Sequence, residues 1–165
     1  MNNEQQSEAY DFFNSTAKAW QQKATSTSYN VIENRHAAVL EIMESFHGEP
    51  AILDVGCGTG QLVIEASKRG WKATGIDFSS EMIDLAEQNS SEVGSSAKFV
   101  CNSIFDFATK PGGYDVISAQ GFIEYISLDQ FDQFLDFALL SLNKGGSLAL
   151  GSRNRLFNLQ SLNEF

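Results

Sequence analysis

Cysteine and histidine are scarce in this chain of 165 residues, which contains two of each. Cys57 and Cys101 lie far apart and form no C-x-x-C pair, so the sequence carries neither a disulfide framework nor a zinc signature. His36 and His47 are too few to build a histidine-based metal site. We therefore expect no metal ion in this protein.

Positive charge is also in short supply, since 11 Lys and Arg residues face 21 Asp and Glu residues and the net charge is -10. Binding to a phosphate backbone needs clustered cations, so nucleic acid is not the expected partner. No apolar run approaches the ~18 residues that span a membrane. Residues 1–8 are polar and lack the apolar stretch of a signal peptide, so we expect a cytoplasmic protein.

What is present is the composition of one globular domain with a sizeable core, at 42% hydrophobic and 19% charged residues. The 13 phenylalanines predict an aromatic-rich core. Two amphipathic helices are predicted first, from apolar residues at helical spacing. Their apolar stripes are Tyr10, Phe13, Ala17 and Trp20, and then Ile32, Val39, Met43 and Phe46.

From Ala51 onwards the pattern alternates between short strands and helices. Strands are predicted at 51–55, 72–77, 97–101, 114–119 and 147–151. Helices are predicted at 61–69, from Ser79 or Ser80 to about 88, and after the capping box Ser127–Gln130, with Leu128, Phe131, Leu135, Ala138 and Leu142 on one face. This alternation predicts a parallel sheet covered on both faces, with ligands at the carboxyl ends of the strands.

The most informative segment is Asp54–Gly60, in which three alternate glycines join a predicted strand to a helix. Glycine lets the backbone turn tightly and approach a ligand that any Cβ would block. Asp77 ends the next strand, where a carboxylate can accept both hydroxyls of a ribose. The alternatives are an ordinary glycine-rich turn and, for Asp77, a charge at a helix N-terminus.

The spacing of these glycines does not fit the phosphate-binding loops. A dinucleotide fold has G-x-G-x-x-G, but Gln61 stands where its third glycine would fall. The loop also has no Gly-Lys-Ser/Thr sequence of the Walker type. Phosphate binding is therefore not predicted.

With these motifs the chain resembles the class I S-adenosylmethionine-dependent methyltransferases, in particular the small-molecule branch of ubiquinone and menaquinone biosynthesis. The resemblance covers about residues 51–151 and rests on Asp54–Gly60, Gly75–Ser79, Tyr114–Ile126 and Asn143–Gly146. It implies a doubly wound, Rossmann-like α/β sheet, S-adenosylmethionine as cofactor, and methyl transfer to a small-molecule acceptor. A module that binds the cofactor without turnover is the alternative.

The resemblance also implies which residues bind the cofactor. The glycine loop would pass beneath the methionine part, Asp77 would bind the ribose, and many members have Asp where this chain has Asn102. Phe78 and Ile104 would flank the adenine or belong to the core. The full set of expected cofactor contacts is Asp54, Gly56, Cys57, Gly58, Gly60, Asp77, Phe78, Asn102, Ser103, Ile104, Ala119 and Gln120.

Fewer residues are candidates for binding or orienting the methyl acceptor. Tyr125 stands where related enzymes often have a histidine and is the candidate catalytic or orienting residue, or else it lines the rim of the pocket. Arg153 and Arg155 either recognise an anionic acceptor group or form a solvated helix start. The resemblance further implies an N-terminal lid, whose candidate residues are Tyr10, Trp20 and Tyr29.

These expectations divide the chain into a helical cap, residues 1–48, and a cofactor-binding core, residues 49–165. The resembled family has seven strands, whereas five are predicted here. We therefore expect a core that lacks the C-terminal hairpin, in a fragment or a trimmed member. Without that hairpin the fifth strand is an open sheet edge, which favours a homodimer formed through it.

Overall fold

The computed structural model describes residues 3–24, 30–108 and 110–152. Two helices precede the sheet, and strands then alternate with helices, except that the described residues form no helix between the third and fourth strands. The helices are α1 (Asn3–Ala24), α2 (Asn30–Glu44), α3 (Gln61–Lys68), α4 (Ser80–Glu92) and α5 (Leu128–Ser141). The strands are β1 (Ala51–Val55), β2 (Lys72–Asp77), β3 (Lys98–Cys101), β4 (Tyr114–Gln120) and β5 (Leu142–Gly151).

The five strands form one sheet in the order β3-β2-β1-β4-β5, and every neighbouring pair is parallel. This confirms the predicted doubly wound α/β fold. The chain builds outwards from β1 to β3 on one side and then crosses to β4 on the other. The order therefore reverses between β1 and β4, and such a switch point opens a crevice at the carboxyl ends of the strands.

Buried side chains form a separate core on each face of the sheet. Alternate residues of β1 serve the two faces, so that Ile52 packs with Val39 and Met43 of α2 while Leu53 packs with Phe134 of α5. The second face also collects a group of half-buried aromatic residues: Phe105, Phe107, Phe122, Phe131 and Phe137. The prediction of an aromatic-rich core is therefore wrong for the fully buried residues: among those described, Phe134 is the one aromatic side chain, and the other aromatic residues that border the two cores are in half-buried positions.

Helix boundaries follow local signals that the sequence contains. Ser79 is the N-cap of α4, where its hydroxyl accepts the N–H of Met82. The capping box of Ser127 and Gln130 at the start of α5 is present as predicted. The predicted apolar face of α5 is wrong at both ends, because Leu128 lies at the helix start and is 83% exposed, and Leu142 lies beyond the helix as the first residue of β5. Phe134, one turn before Ala138, fills the core instead.

The described part of the chain was expected to contain neither a membrane-spanning helix nor a metal site. No helix in that part is long and apolar enough to cross a membrane. The same residues contain no group of three or more His, Cys, Asp or Glu side chains that could hold a metal ion.

Candidate functional site

The glycine loop lies between β1 and α3, at the switch point of the sheet. Gly56, Gly58 and Gly60 have φ angles of 71°, 52° and 85°, which are in the left-handed region that disfavours residues with a Cβ. The loop is fixed by backbone hydrogen bonds from the N–H groups of Gly56 and Cys57 to the carbonyl of Ile76. The end of β1 is thereby held against the end of β2.

The three glycines differ in what a Cβ would meet. At Gly60 it would lie 2.8 Å from the ring of Phe99 and 2.9 Å from the Cβ of Ala86, so this glycine is required by packing. At Gly56 it would touch Phe122 at 3.4 Å. At Gly58 it would enter open space, with no atom within 4 Å. Of the three, Gly58 is therefore the glycine that faces a space where a ligand can approach the backbone.

Asp77, at the end of β2, holds the same loop by its side chain. Its Oδ2 accepts the N–H of Gly58 at 2.9 Å, and its Oδ1 accepts the N–H of Ser79 at 3.0 Å. Burial raises the pKa of Asp77, and the hydrogen bonds from Ser79 and Gly58 oppose that rise. Each carboxylate oxygen has a second lone pair, so Asp77 keeps capacity to accept hydroxyls from a ligand.

Asp54 and Ser118 form a second polar pair on the adjacent strands β1 and β4, where they are register partners. Asp54 is 4% exposed and Ser118 is fully buried. Asp54 Oδ1 and Ser118 Oγ have no hydrogen-bond partner among the described residues. Leaving a buried polar atom without a partner costs ~1–3 kcal/mol, so these atoms fit a ligand that brings hydrogen-bond donors.

Burial is the main reason why the pKa of Asp54 rises from 3.8 to about 7. The neighbouring Ser118 hydroxyl favours the ionised form and lowers the pKa, although the two side chains do not meet in hydrogen-bond geometry, and the charge of Asp77 raises the pKa further. Between about pH 4 and 7 the folded protein holds a proton here that the unfolded chain has released, so this group lowers stability as pH rises. Asp54→Asn should remove this pH-dependent loss of stability. As the pH rises through this window, the free energy of unfolding of Asp54→Asn should increase relative to that of the unmutated chain by up to about 1.4 kcal/mol per pH unit.

Urea unfolding at about pH 5, 6 and 7 measures this difference. Asp84→Asn, at an exposed carboxylate on α4, is the matched control. Parallel stability curves for Asp54→Asn and the unmutated chain would show that Asp54 does not titrate in this range.

Four residues predicted to contact the cofactor lie at the ends of β3 and β4, some of them hydrogen-bonded and others packed in the core. The Asn102 N–H donates to the Asp77 carbonyl at 2.9 Å, which joins β3 to the ribose-side acid. Ile104 is 5% exposed and packs in the core beneath the site. Ala119 is fully buried, and the Gln120 side chain donates to the Ala149 carbonyl of β5 at 3.0 Å. Cofactor contact by these four residues stays a prediction.

Cys57, within the loop, serves packing rather than reactivity. Its Sγ would lie 2.8 Å from a Cβ placed at Gly75, so the two residues fit closely together. Burial raises the pKa of the Cys57 thiol well above its usual range, and the charges of Asp77 and Asp54 raise it further. The thiol therefore stays protonated and unreactive.

Helix α1 lies across the carboxyl edge of the sheet. The Phe13 ring contacts Phe78, which follows β2, at a centroid distance of 5.9 Å, and Tyr125, which follows β4, at 5.1 Å. Tyr10 also contacts Phe78, at 6.0 Å. Tyr125 belongs to a single 3-10 turn, Ile123–Tyr125, and is 38% exposed. One helix thus bridges both sides of the crevice.

Several predicted residues lie outside the described part of the chain. They are the Trp20 side chain, Tyr29, Arg153 and Arg155. Their proposed roles in the lid and in acceptor recognition stay predictions.

A methyltransferase domain family matches residues 52–146, which is more than half of the chain. The chain belongs to this methyltransferase family. The match starts in β1 and extends into β5, so it contains the glycine loop, Asp77 and the ends of β3 and β4. The family predicted from the motifs is thereby confirmed.

Other methyltransferases are similar over most of the chain. The ubiquinone biosynthesis O-methyltransferase of Vibrio parahaemolyticus is 30% identical over 118 residues, which cover 71% of this chain and 49% of that protein. The chain spans about half the length of such curated relatives. Magnesium protoporphyrin IX methyltransferase from Synechocystis PCC 6803, solved with bound SAM, has a TM-score of 0.69 at 20% identity and covers 83% of this chain and 72% of its own.

A second solved structure shows that the fold has other uses. A 4+2 cyclase superposes on this methyltransferase domain with a TM-score of 0.76 at 20% identity, covering 86% of this chain and 58% of its own. The fold is therefore shared by proteins with different chemistry.

Arg35 is a residue near the site that the sequence analysis missed. It lies on α2, and its Nη1 is 3.6 Å from where a Cβ of Gly121 would stand, just after β4. Among the described residues no carboxylate forms an ion pair with it. A cation on a helix far away in sequence gives no local signal, because only the docking of α2 on the sheet brings it to the end of β4.

Proposed function

We propose that this methyltransferase domain binds S-adenosylmethionine and transfers its methyl group to a small-molecule acceptor. The observation that carries the proposal is the open space at Gly58, bordered by Asp77, at the switch point of the sheet. The orphaned atoms of Asp54 and Ser118 add unused hydrogen-bonding capacity. When bound, the cofactor supplies an electrophilic methyl group on a sulfonium.

The residues of the chain divide the binding of this cofactor between them. Gly58 admits the methionine part beside the loop, and Asp77 accepts the ribose hydroxyls. The backbone at Ala119 and Gln120 is proposed to receive the ammonium group. The adenine is assigned to Phe78, Asn102, Ser103 and Ile104.

The remaining work of the protein is to align the acceptor and to exclude water. Helix α1 covers the crevice through Phe13, which supports its role as a lid, while α2 packs on the sheet. Tyr125 contacts that lid and is placed to orient an acceptor at the rim. Among the described residues, Arg35 is a cation without an ion pair at the end of β4, and it suits a carboxylate group.

The acceptor class is inferred from the relatives and from charge. The curated relatives are named O-methyltransferases, which supports an oxygen acceptor on a small molecule. The excess of acidic residues argues against nucleic acid. A cytoplasmic location is supported by the free thiols of Cys57 and Cys101, which suit a reducing compartment.

A domain that binds the cofactor without transferring methyl is the second candidate. It is favoured by the cyclase on the same fold. It is also favoured because the described residues of the site offer Tyr125, not a histidine, as the acceptor-side group.

Turnover separates the two candidates. The purified chain would be incubated with S-adenosylmethionine and a panel of phenols, quinols and carboxylates, and S-adenosylhomocysteine measured by mass spectrometry. Product with an acceptor but not without one establishes transfer. Calorimetric binding of S-adenosylhomocysteine without product supports the binding module, and a folded chain that binds neither compound refutes both.

We also propose that β5 pairs with a second copy of the chain. β5 is an edge strand of the sheet that residues 51–151 form, and its Leu150 is 40% exposed. An unpaired edge presents N–H and C=O groups that another strand can bind. Light scattering should report the mass of a dimer that becomes monomeric in Leu150→Lys, and a monomer for the unmutated chain at high concentration would refute the pairing.

A further inference from the structure

Two chains of hydrogen bonds connect α1 to the two elements that build the cofactor site. In the first, Gln21 Nε2 donates to Asn89 Oδ1 at 2.9 Å. Asn89 Nδ2 in turn donates to the carbonyl of Thr59, inside the glycine loop, at 3.0 Å. Asn89 thus uses one amide group to hold the lid and the loop at the same time.

The second chain ends at Asp77. The Ser79 hydroxyl donates to Asn14 Oδ1 on α1. The Ser79 N–H donates to Asp77 Oδ1 at 3.0 Å. Ser79 is fully buried, so this connection runs through the interior between α1 and α4.

Both chains start from one face of α1. Asn14 and Gln21 are seven residues apart, which is about two helical turns. Ala17 lies between them and is 2% exposed. Ala17 is also the one fully buried side chain among those that the structure describes on α1. Through its described side chains the helix is therefore held by polar bonds and half-buried rings, with little apolar burial among them, which favours local opening.

We propose that Asn89 is a positioning residue that couples the docking of α1 to the glycine loop, so that cofactor binding and lid closure strengthen each other. The inference rests on the proposed function, because it takes this loop as the cofactor site. A ligand that orders the loop holds the Thr59 carbonyl in place, and this carbonyl in turn orients the Asn89 amide that donates to it. The Oδ1 of the same amide is then held in position to accept the hydrogen bond from Gln21. By linkage, the factor by which the bound ligand stabilises the docked lid equals the factor by which the docked lid strengthens ligand binding, so weakening the lid should lower ligand affinity.

Two variants separate the halves of this connection. Asn89→Asp keeps an acceptor for Gln21 but removes the donor to the buried Thr59 carbonyl. Gln21→Ala removes the lid end and leaves the bond from Asn89 to Thr59 in place. Gln88→Ala is the matched control, since Gln88 is exposed on α4 and bonds to Glu92.

The test combines hydrogen exchange of residues 10–22 and 56–60 with calorimetry of S-adenosylhomocysteine binding. In the unmutated chain and in Gln88→Ala, the ligand should slow exchange in both segments about fivefold or more. In Gln21→Ala the α1 protection should fall below about twofold while the loop stays protected, with affinity about threefold weaker. In Asn89→Asp the ligand should slow exchange less in both α1 and the loop, and the affinity for S-adenosylhomocysteine should be about tenfold weaker.

The outcomes distinguish this inference from the proposed function. The coupling is refuted, and the proposed function stands, if the ligand binds the unmutated chain and slows hydrogen exchange in α1 equally in that chain, in Gln21→Ala and in Asn89→Asp. If the folded, unmutated chain does not bind the ligand, both fall together. Should Asn89→Asp fail to fold by circular dichroism, Gln21→Ala alone decides the result.

Discussion

Replacing Gly58 with alanine should abolish binding of S-adenosylmethionine and leave the chain folded. The added Cβ enters the open space beside the loop, where no protein atom lies within 4 Å, so it collides with a ligand and not with the protein. The left-handed backbone, with φ of 52°, adds only ~1–2 kcal/mol of strain. We expect affinity to fall by about 100-fold or more, equivalent to roughly 3 kcal/mol.

Gly60→Ala is the matched control for this prediction, because it makes the same chemical change two residues away. Its Cβ would lie 2.8 Å from Phe99, inside the packed core. Overpacking and strain together cost about 2–5 kcal/mol, so the midpoint of thermal unfolding should fall by roughly 4–20 °C. Normal calorimetric affinity in Gly58→Ala would show that the open space is not the cofactor site.

The second large effect is expected at Asp77. Asp77→Ala removes the proposed acceptor of the ribose hydroxyls and the carboxylate that orders Gly58 by its N–H. Both losses act on the bound state, so affinity should fall by about 100-fold or more. Stability should fall less, because the substitution also relieves the burial that raises the pKa of Asp77.

Calorimetry and urea unfolding of the same preparations measure both quantities. Asp84→Ala removes an exposed carboxylate from the neighbouring helix α4 and should leave both unchanged. An affinity within about threefold of the unmutated chain would show that Asp77 does not bind the ribose.

Local signals allowed most of the fold to be predicted. The strands β1 and β2 have the predicted bounds, since β1 is a compact apolar run that ends at the glycine loop and β2 lies between the glycine after α3 and the cap of α4 at Ser79. The capping box of α5 is also where it was predicted, because its two hydrogen bonds join residues three apart. β5 begins five residues earlier than predicted, at Leu142, since α5 passes directly into an irregular pairing with β4 that the sequence does not signal.

Side-chain roles that depend on distant partners were harder to predict. Helical spacing placed Leu128 on the apolar face of α5, but Leu128 is the first residue of the helix and is solvent-exposed. The same spacing picked out the aromatic residues of α1 and passed over Asn14 and Gln21, because polar residues on a helix usually face water. Their partners, Ser79 and Asn89, lie more than 60 residues away.

The sequence by itself determined the family, the parallel α/β architecture and the glycine loop with its acid after β2, because spacing along the chain specifies each of them. Only the tertiary structure decided that Gly60 serves packing while Gly58 faces open space, that Asp54 and Ser118 are orphaned together, and that α1 is tied to the loop through Asn89. The physical reason is the same in each case: burial, orphaned polar atoms and open space are properties of residues distant in sequence that folding brings together.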